Sequence, residues 1–141
     1  MEKKKLLNGK TILSVVIAMA TVYGVKAWLN KAPETKSQFE YAAEAVNKQC
    51  PMMIDSDTRI NNAVTSGKEF KYFYTLVNTE AKDFNKEVFD QTLKPSLVNN
   101  IKTHPDLKIY RDHKMIMQYN YADKNGVHLS QIDVTPSDYL E

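Results

Sequence analysis

The chain has 141 residues, with 19 basic and 17 acidic side chains, four glycines and one cysteine. Its charge is divided. Residues 1–31 hold six lysines and the single acid Glu2, for +5, which leaves 13 basic and 16 acidic side chains over 32–141, for −3. A mildly acidic body with Arg59 and Arg111 as its two arginines excludes a nucleic-acid binder, which would carry a basic stripe.

Lys3, Lys4, Lys5 and Lys10 precede an uncharged run from Thr11 to Val25, which is followed by Lys26, Trp28 and Lys31. A charged region ahead of an apolar one is the pattern of a secretory signal or an N-terminal anchor. The run is shorter than the roughly 20 residues that span a bilayer. It extends to Leu29 if Lys26 snorkels toward the headgroups, and Tyr23 and Trp28 then lie at the interface. The expectation is a membrane segment over 1–29 with the N-terminus in the cytoplasm. A linker, 30–36, and an exported domain, 37–141, follow. Cleavage after Ala18-Met19-Ala20 is the alternative and would release the domain. No cysteine stands near the end of the apolar run, so the pattern offers no lipid anchor.

Ser37-Gln38-Phe39-Glu40 fits a capping box. Phe39, Ala42, Ala43 and Val46 follow at helical spacing, predicting a helix to about Gln49 that stops at Pro51. A strand is expected over Thr58 to Val64, a turn at Ser66-Gly67, and a second strand over Glu69 to Asn78. In the second strand Phe70, Tyr72, Tyr74 and Leu76 form one face, and Lys71, Phe73, Thr75 and Val77 the other. Phe84, Val88, Phe89, Leu93, Leu97 and Ile101 build an apolar helical stripe beginning near Asp83. Pro95 should kink or divide that helix near Lys94. Leu107 to Arg111 reads as a short strand. Met115 to Tyr121 and Val127 to Val134 read as a hairpin around Asp123-Lys124-Asn125-Gly126. The fold class is α+β, in the order α-β-β-α-β-β. Short connections predict a four- or five-stranded antiparallel sheet with helices on one face.

Little in this inventory can do chemistry. His104, His113 and His128 are scattered, with no partner at metal-ligand spacing. No Gly-rich phosphate loop exists, and no serine has a nucleophile-elbow context. Cys50 is the lone cysteine, which excludes an intramolecular disulfide. It reads either as a small buried residue or as an intermolecular partner. The expectation is no enzyme, no cofactor and no metal.

Asp55-Ser56-Asp57-Thr58-Arg59 is the densest charged cluster of the domain. It resembles a calcium loop only in its first two carboxylates, since Arg59 stands at the third ligand position and no glycine follows. Two readings stay open. In one, the aspartates bond turn N–H groups while Arg59 pairs with a carboxylate across the sheet. In the other, Arg59 anchors a partner-binding edge. Phe73 and Val77, on the sheet face away from the helices, would mark an apolar patch there. The candidate partner-binding residues are therefore Asp55, Asp57, Arg59 and Phe73.

Several longer words stand out: Asn47 with Pro51-Met52-Met53-Ile54-Asp55 and Asp57-Thr58-Arg59, Tyr72-Phe73-Tyr74-Thr75-Leu76-Val77-Asn78, Pro95 with Asn99-Asn100, Tyr119-Asn120-Tyr121 with Asp123 and Gly126, and Val134-Thr135-Pro136. In these words the chain resembles small bacterial envelope proteins that pair an N-terminal hydrophobic segment with an exported domain. The resemblance implies bacterial origin and an envelope location; with the lysine-flanked run, the expectation is a single-pass inner-membrane protein with its domain in the periplasm. It implies no catalytic or ligand-binding residue. The expected function is a non-catalytic, membrane-tethered module that docks an envelope protein partner. A cleaved, secreted periplasmic binding or inhibitor-like protein is the alternative.

Overall fold

The computed structural model describes residues 37–140. The expected membrane segment 1–29 and linker 30–36 lie outside the described residues. Among the described residues no helix is long and apolar enough to cross a membrane.

Helix α1 spans Gln38–Gln49 and begins in the expected capping box. The Glu40 N–H donates to Ser37 Oγ at 3.1 Å while Glu40 Oε2 accepts the Ser37 N–H at 2.7 Å. Both bonds satisfy donors that a helix start leaves free. Phe39, Ala42, Ala43, Ala45 and Val46 are buried, and the helix packs on the sheet at β2. Its alanines let the two backbones come close.

Five strands form one sheet in the order β1-β2-β3-β4-β5: Met52–Met53, Thr58–Ser66, Glu69–Leu76, Ile116–Ala122 and His128–Val134. Three of the four neighbouring pairs are antiparallel, but β3 and β4 run parallel. This corrects the all-antiparallel expectation. The chain between β3 and β4 carries a long helix, and a crossover of that length returns the next strand in the same direction. The short-connection argument holds only for the hairpins.

That helix, α2, spans Lys86–Thr103 and buries Phe89, Leu93, Leu97, Asn100 and Ile101. It is not divided at Pro95. Pro95 and Gln91 both stand on the exposed side, so the carbonyl that loses its i+4 donor can bond water instead. The short strand expected over Leu107 to Arg111 is also corrected. It is a 3₁₀ turn, Pro105–Leu107, running into helix α3, Lys108–Asp112. Leu107 and Tyr110 are buried three residues apart, which is helical spacing. Arg111 then donates from one Nη to the carbonyls of Ile101 at 2.7 Å and His104 at 2.8 Å, satisfying acceptors that the end of α2 leaves open.

A last helix, α4, spans Pro136–Tyr139, and the buried Tyr139 hydroxyl donates to the Met115 carbonyl at 2.6 Å. On the core side of α2, the Ser130 hydroxyl of β5 donates to Asp90, whose other oxygen pairs with Lys86. The helices thus share one side of the sheet. Phe70, Tyr72, Tyr74, Leu76, Met117, Tyr119, Tyr121, Ile132 and Val134 face them in the core.

Candidate docking face

The side of the sheet turned away from the helices is built by the alternate strand positions. Its central row follows from the strand register: Asn62 of β2 stands beside Phe73 of β3, then Asn120 of β4, then Gln131 of β5. One row further along lie Val64, Lys71, Gln118 and Asp133. On the other flank Arg59 pairs with Thr75, and Thr75 with Ala122. The pairing of β2 with β3 slips between Ile60 and Asn62, and a bulge of that kind can turn two successive side chains to one side. It adds Asn61 to this face.

The polar groups of the face are organised by one another. Arg59 Nε donates to Asn61 Oδ1 at 2.9 Å, and Asn61 Nδ2 donates to Thr75 Oγ1 at 2.8 Å. Asn120 Nδ2 donates to Gln118 Oε1 at 3.0 Å, and Gln131 Nε2 to Asp133 Oδ1 at 3.2 Å. Phe73 is half-buried in the middle. Each amide and the guanidinium keep further donors or acceptors. The result is an aromatic ring set in an ordered field of hydrogen-bonding groups.

Arg59 corrects one reading. Its bonds go to the neutral side chains of Asn61 and Thr75, and among the described residues it forms no ion pair with a carboxylate. The structure therefore brings Arg59 and Phe73 onto one face.

Asp55 and Asp57 stand elsewhere, in the turn between β1 and β2. Asp55 Oδ1 accepts the N–H groups of Asp57 and Thr58, both at 2.7 Å. Asp57 Oδ1 accepts Asn78 Nδ2 at 2.7 Å, and the Asp57 carbonyl accepts the Val77 N–H at 2.9 Å. These bonds close the turn and tie it to the end of β3, as short polar side chains do. Asp55 and Asp57 thus hold this turn, outside the row around Phe73. Sequence reasoning missed Asn61, Asn62, Gln118, Asn120 and Gln131. Their signal was present as polar residues at alternate strand positions, but their grouping depends on the register of four strands.

Among the described residues no three His, Cys, Asp or Glu side chains gather to hold a metal. Cys50 is half-buried, and burial pushes its thiol above the usual range.

Comparison with known proteins gives the family. A family model described as a domain of unknown function, DUF8479, matches residues 34–130. The chain belongs to that family. A search of curated proteins found no match. Three solved structures share the fold at low identity. A candidate secreted protein of Pseudomonas aeruginosa is 11% identical, with a TM-score of 0.60 over 71% of this chain and 88% of that one. EpsS, a pilotin of the Vibrio vulnificus type 2 secretion system, is 13% identical, with a TM-score of 0.56 over 71% and 86%. AspS, the type II secretion system pilotin of Vibrio cholerae, is 15% identical, with a TM-score of 0.52 over 71% and 87%. At these identities the likeness is one of fold.

Proposed function

We propose that this DUF8479 protein is a non-catalytic module of the bacterial envelope that docks a partner protein through the open face of its sheet. The observation that carries the proposal is the row Asn62, Phe73, Asn120, Gln131 with Arg59 beside it. It pairs an aromatic anchor with ordered amides and a cation that forms no ion pair among the described residues, the composition that protein interfaces favour. The shared fold of two secretion-system pilotins supports an envelope role in which partner capture, not catalysis, is the task.

In this reading the lysine-flanked apolar segment, 1–29, holds the protein in the inner membrane with the domain in the periplasm. The fold of the Pseudomonas aeruginosa protein favours the second reading, a cleaved and secreted protein. Carbonate extraction separates the two. Retention in the membrane pellet supports the tether, and full release supports cleavage.

The test of docking is crosslinking in intact cells followed by affinity capture of wild type, Arg59→Ala and Phe73→Ala. The expected result is one crosslinked partner for wild type and its loss in both variants, with melting temperatures close to wild type. Capture unchanged in both stable variants would reject the open face as the docking surface.

A further inference from the structure

The two ends of the sheet differ in charge, and the chain enters the domain at one of them. Helix α1 begins beside the end of α3: Gln38 Nε2 lies 3.1 Å from His113 Nε2. The rings of Phe39 and His113 meet edge to face, with centroids 5.3 Å apart. The turn between β2 and β3 closes the same end, where Lys68 Nζ donates to the His113 carbonyl at 3.0 Å. Ser37, Lys68, His113 and Lys114 are thus neighbours at one end of the strands, and all four are exposed.

Carboxylates at this end have partners: Glu40 accepts the Ser37 N–H, Glu69 pairs with Lys71, and Asp112 pairs with Lys108. Among the described residues neither Lys68 nor Lys114 forms an ion pair, and their ammonium charges face solvent. Lys114 also stands at φ 53°, a left-handed place that Gly or Asn fills with less strain. Such an outlier points to a use for its side chain. The opposite end of the strands is acidic. There Asp57 accepts from Asn78 just past β3, and Asp123 accepts the Ala81 N–H. Asp55, Asp57, Glu80, Asp83 and Asp123 gather at that end against Arg59, Lys82 and Lys124. A negatively charged surface would draw in one end of the domain and repel the other.

We infer that the Lys68–Lys114 end of the domain rests on the anionic phospholipid surface of the membrane that holds it. The inference depends on the tethered reading above. In that reading residues 30–36 join the bilayer to Ser37, and fully extended they span at most about 25 Å. Lys31 and Lys36 in this stretch add charge of the same sign beside the membrane. Anionic headgroups suit these lysines, because an ammonium is a point charge that needs no fixed partner geometry and juxtamembrane lysines are drawn to anionic lipid. The contact sets the strands end-on to the bilayer. Arg59, which pairs with Thr75 toward the acidic end, then lies away from the lipid, and the open face of the sheet stays accessible.

The test places the full chain in phosphatidylcholine vesicles with and without phosphatidylglycerol. A water-soluble amine-acylating reagent labels the lysines, and mass spectrometry reads each one. With anionic lipid, Lys68 and Lys114 should label about fivefold more slowly, the effect of one lysine's attraction to such a surface. Lys82 and Lys124, at the acidic end, should label as before. Salt at about 0.5 M, which shortens the screening length to about 4 Å, should restore the rates. Equal rates in the two vesicles, in protein that resists carbonate extraction, would overturn the inference and leave the tether standing. Protection of Lys82 and Lys124 in place of Lys68 and Lys114 would reject it as well. Release of the protein by carbonate would overturn the tether and the inference together.

Discussion

Asn47 of α1 holds the backbone of Ala63 with both of its hydrogen-bonding groups. Its amide Nδ2 donates to the Ala63 carbonyl at 2.8 Å, and its Oδ1 accepts the Ala63 N–H at 2.7 Å. Strand β1 pairs with β2 only at Ile60 and Arg59, so the edge of β2 beyond them has no strand neighbour. Asn47 supplies there what one residue of an added strand would supply. It fixes α1 against the sheet just past the bulge that turns Asn61 to the open face of the sheet.

Replacing Asn47 by Ala strands the Ala63 N–H and carbonyl in a partly buried place. The expected cost is about 2 kcal/mol. For a domain of this size that lowers the melting temperature by about 10 °C. A thermal melt followed by circular dichroism checks it, and a shift of under about 2 °C would remove Asn47 from any structural role.

Asp55 and Arg59 should separate cleanly. Asp55→Ala removes the acceptor of two turn N–H groups and should cost about 1 kcal/mol of stability without altering partner capture. Arg59 is half-exposed and bonded only to neutral side chains. Arg59→Ala should change stability by no more than about 0.5 kcal/mol while abolishing capture. Urea denaturation of both variants beside the crosslinking assay reads both halves. The reverse order of stabilities would contradict the placement of the two residues.

Acid should weaken the fold through Asp123. Burial alone would raise its carboxyl, but N–H groups of Val127, Ala81 and Asn125 donate to it at 2.8–2.9 Å and hold it below the usual carboxylate range. A group whose folded pKa is depressed contributes stability that is fully present above its unfolded value of about 3.9. That stability is lost as pH falls through the folded value. Melting temperature should be flat from pH 7 to 5 and should decline below about pH 4. Asp123→Asn should be less stable at pH 7 and show a shallower acid decline. An identical pH profile in the variant would show that Asp123 does not couple to folding.

Cys50 should react slowly. Burial raises its thiol pKa, so the thiolate that attacks a reagent is scarcer than in a free cysteine. Labelling by a maleimide at pH 7.5 should be several-fold slower in the folded chain than in urea, and Cys50→Ser should preserve partner capture. Equal rates would place the thiol in solvent. A disulfide-linked dimer from rapidly alkylated cells would make it an assembly residue.

Much of the framework was legible from residue patterns. The capping box at Ser37 and Glu40, the alternation of Phe70, Tyr72, Tyr74 and Leu76, and the turn at Asp123 to Gly126 depend on neighbours within a few residues. Local sterics and hydrogen bonds decide those features. Tertiary structure decided the rest. The parallel pairing of β3 with β4 depends on how far α2 carries the chain before it returns. The helical state of Lys108–Asp112 depends on the place open to Leu107 and Tyr110 in the core, because an apolar stretch that short has no period of its own.

Arg59 shows the same division at the open face of the sheet. Asp55 and Asp57 stand four and two residues before it, yet its hydrogen bonds go to Asn61 and to Thr75 of the adjoining strand. The chain determined by itself that a charged turn leads into a strand beside an aromatic one. Only the register between strands, set by the bulge at Asn61 and by Asn47 on Ala63, determined that the turn keeps the aspartates and the face receives Arg59. Register is a long-range property: each strand's side chains are assigned to a face by the strand beside it, and no local pattern carries that information.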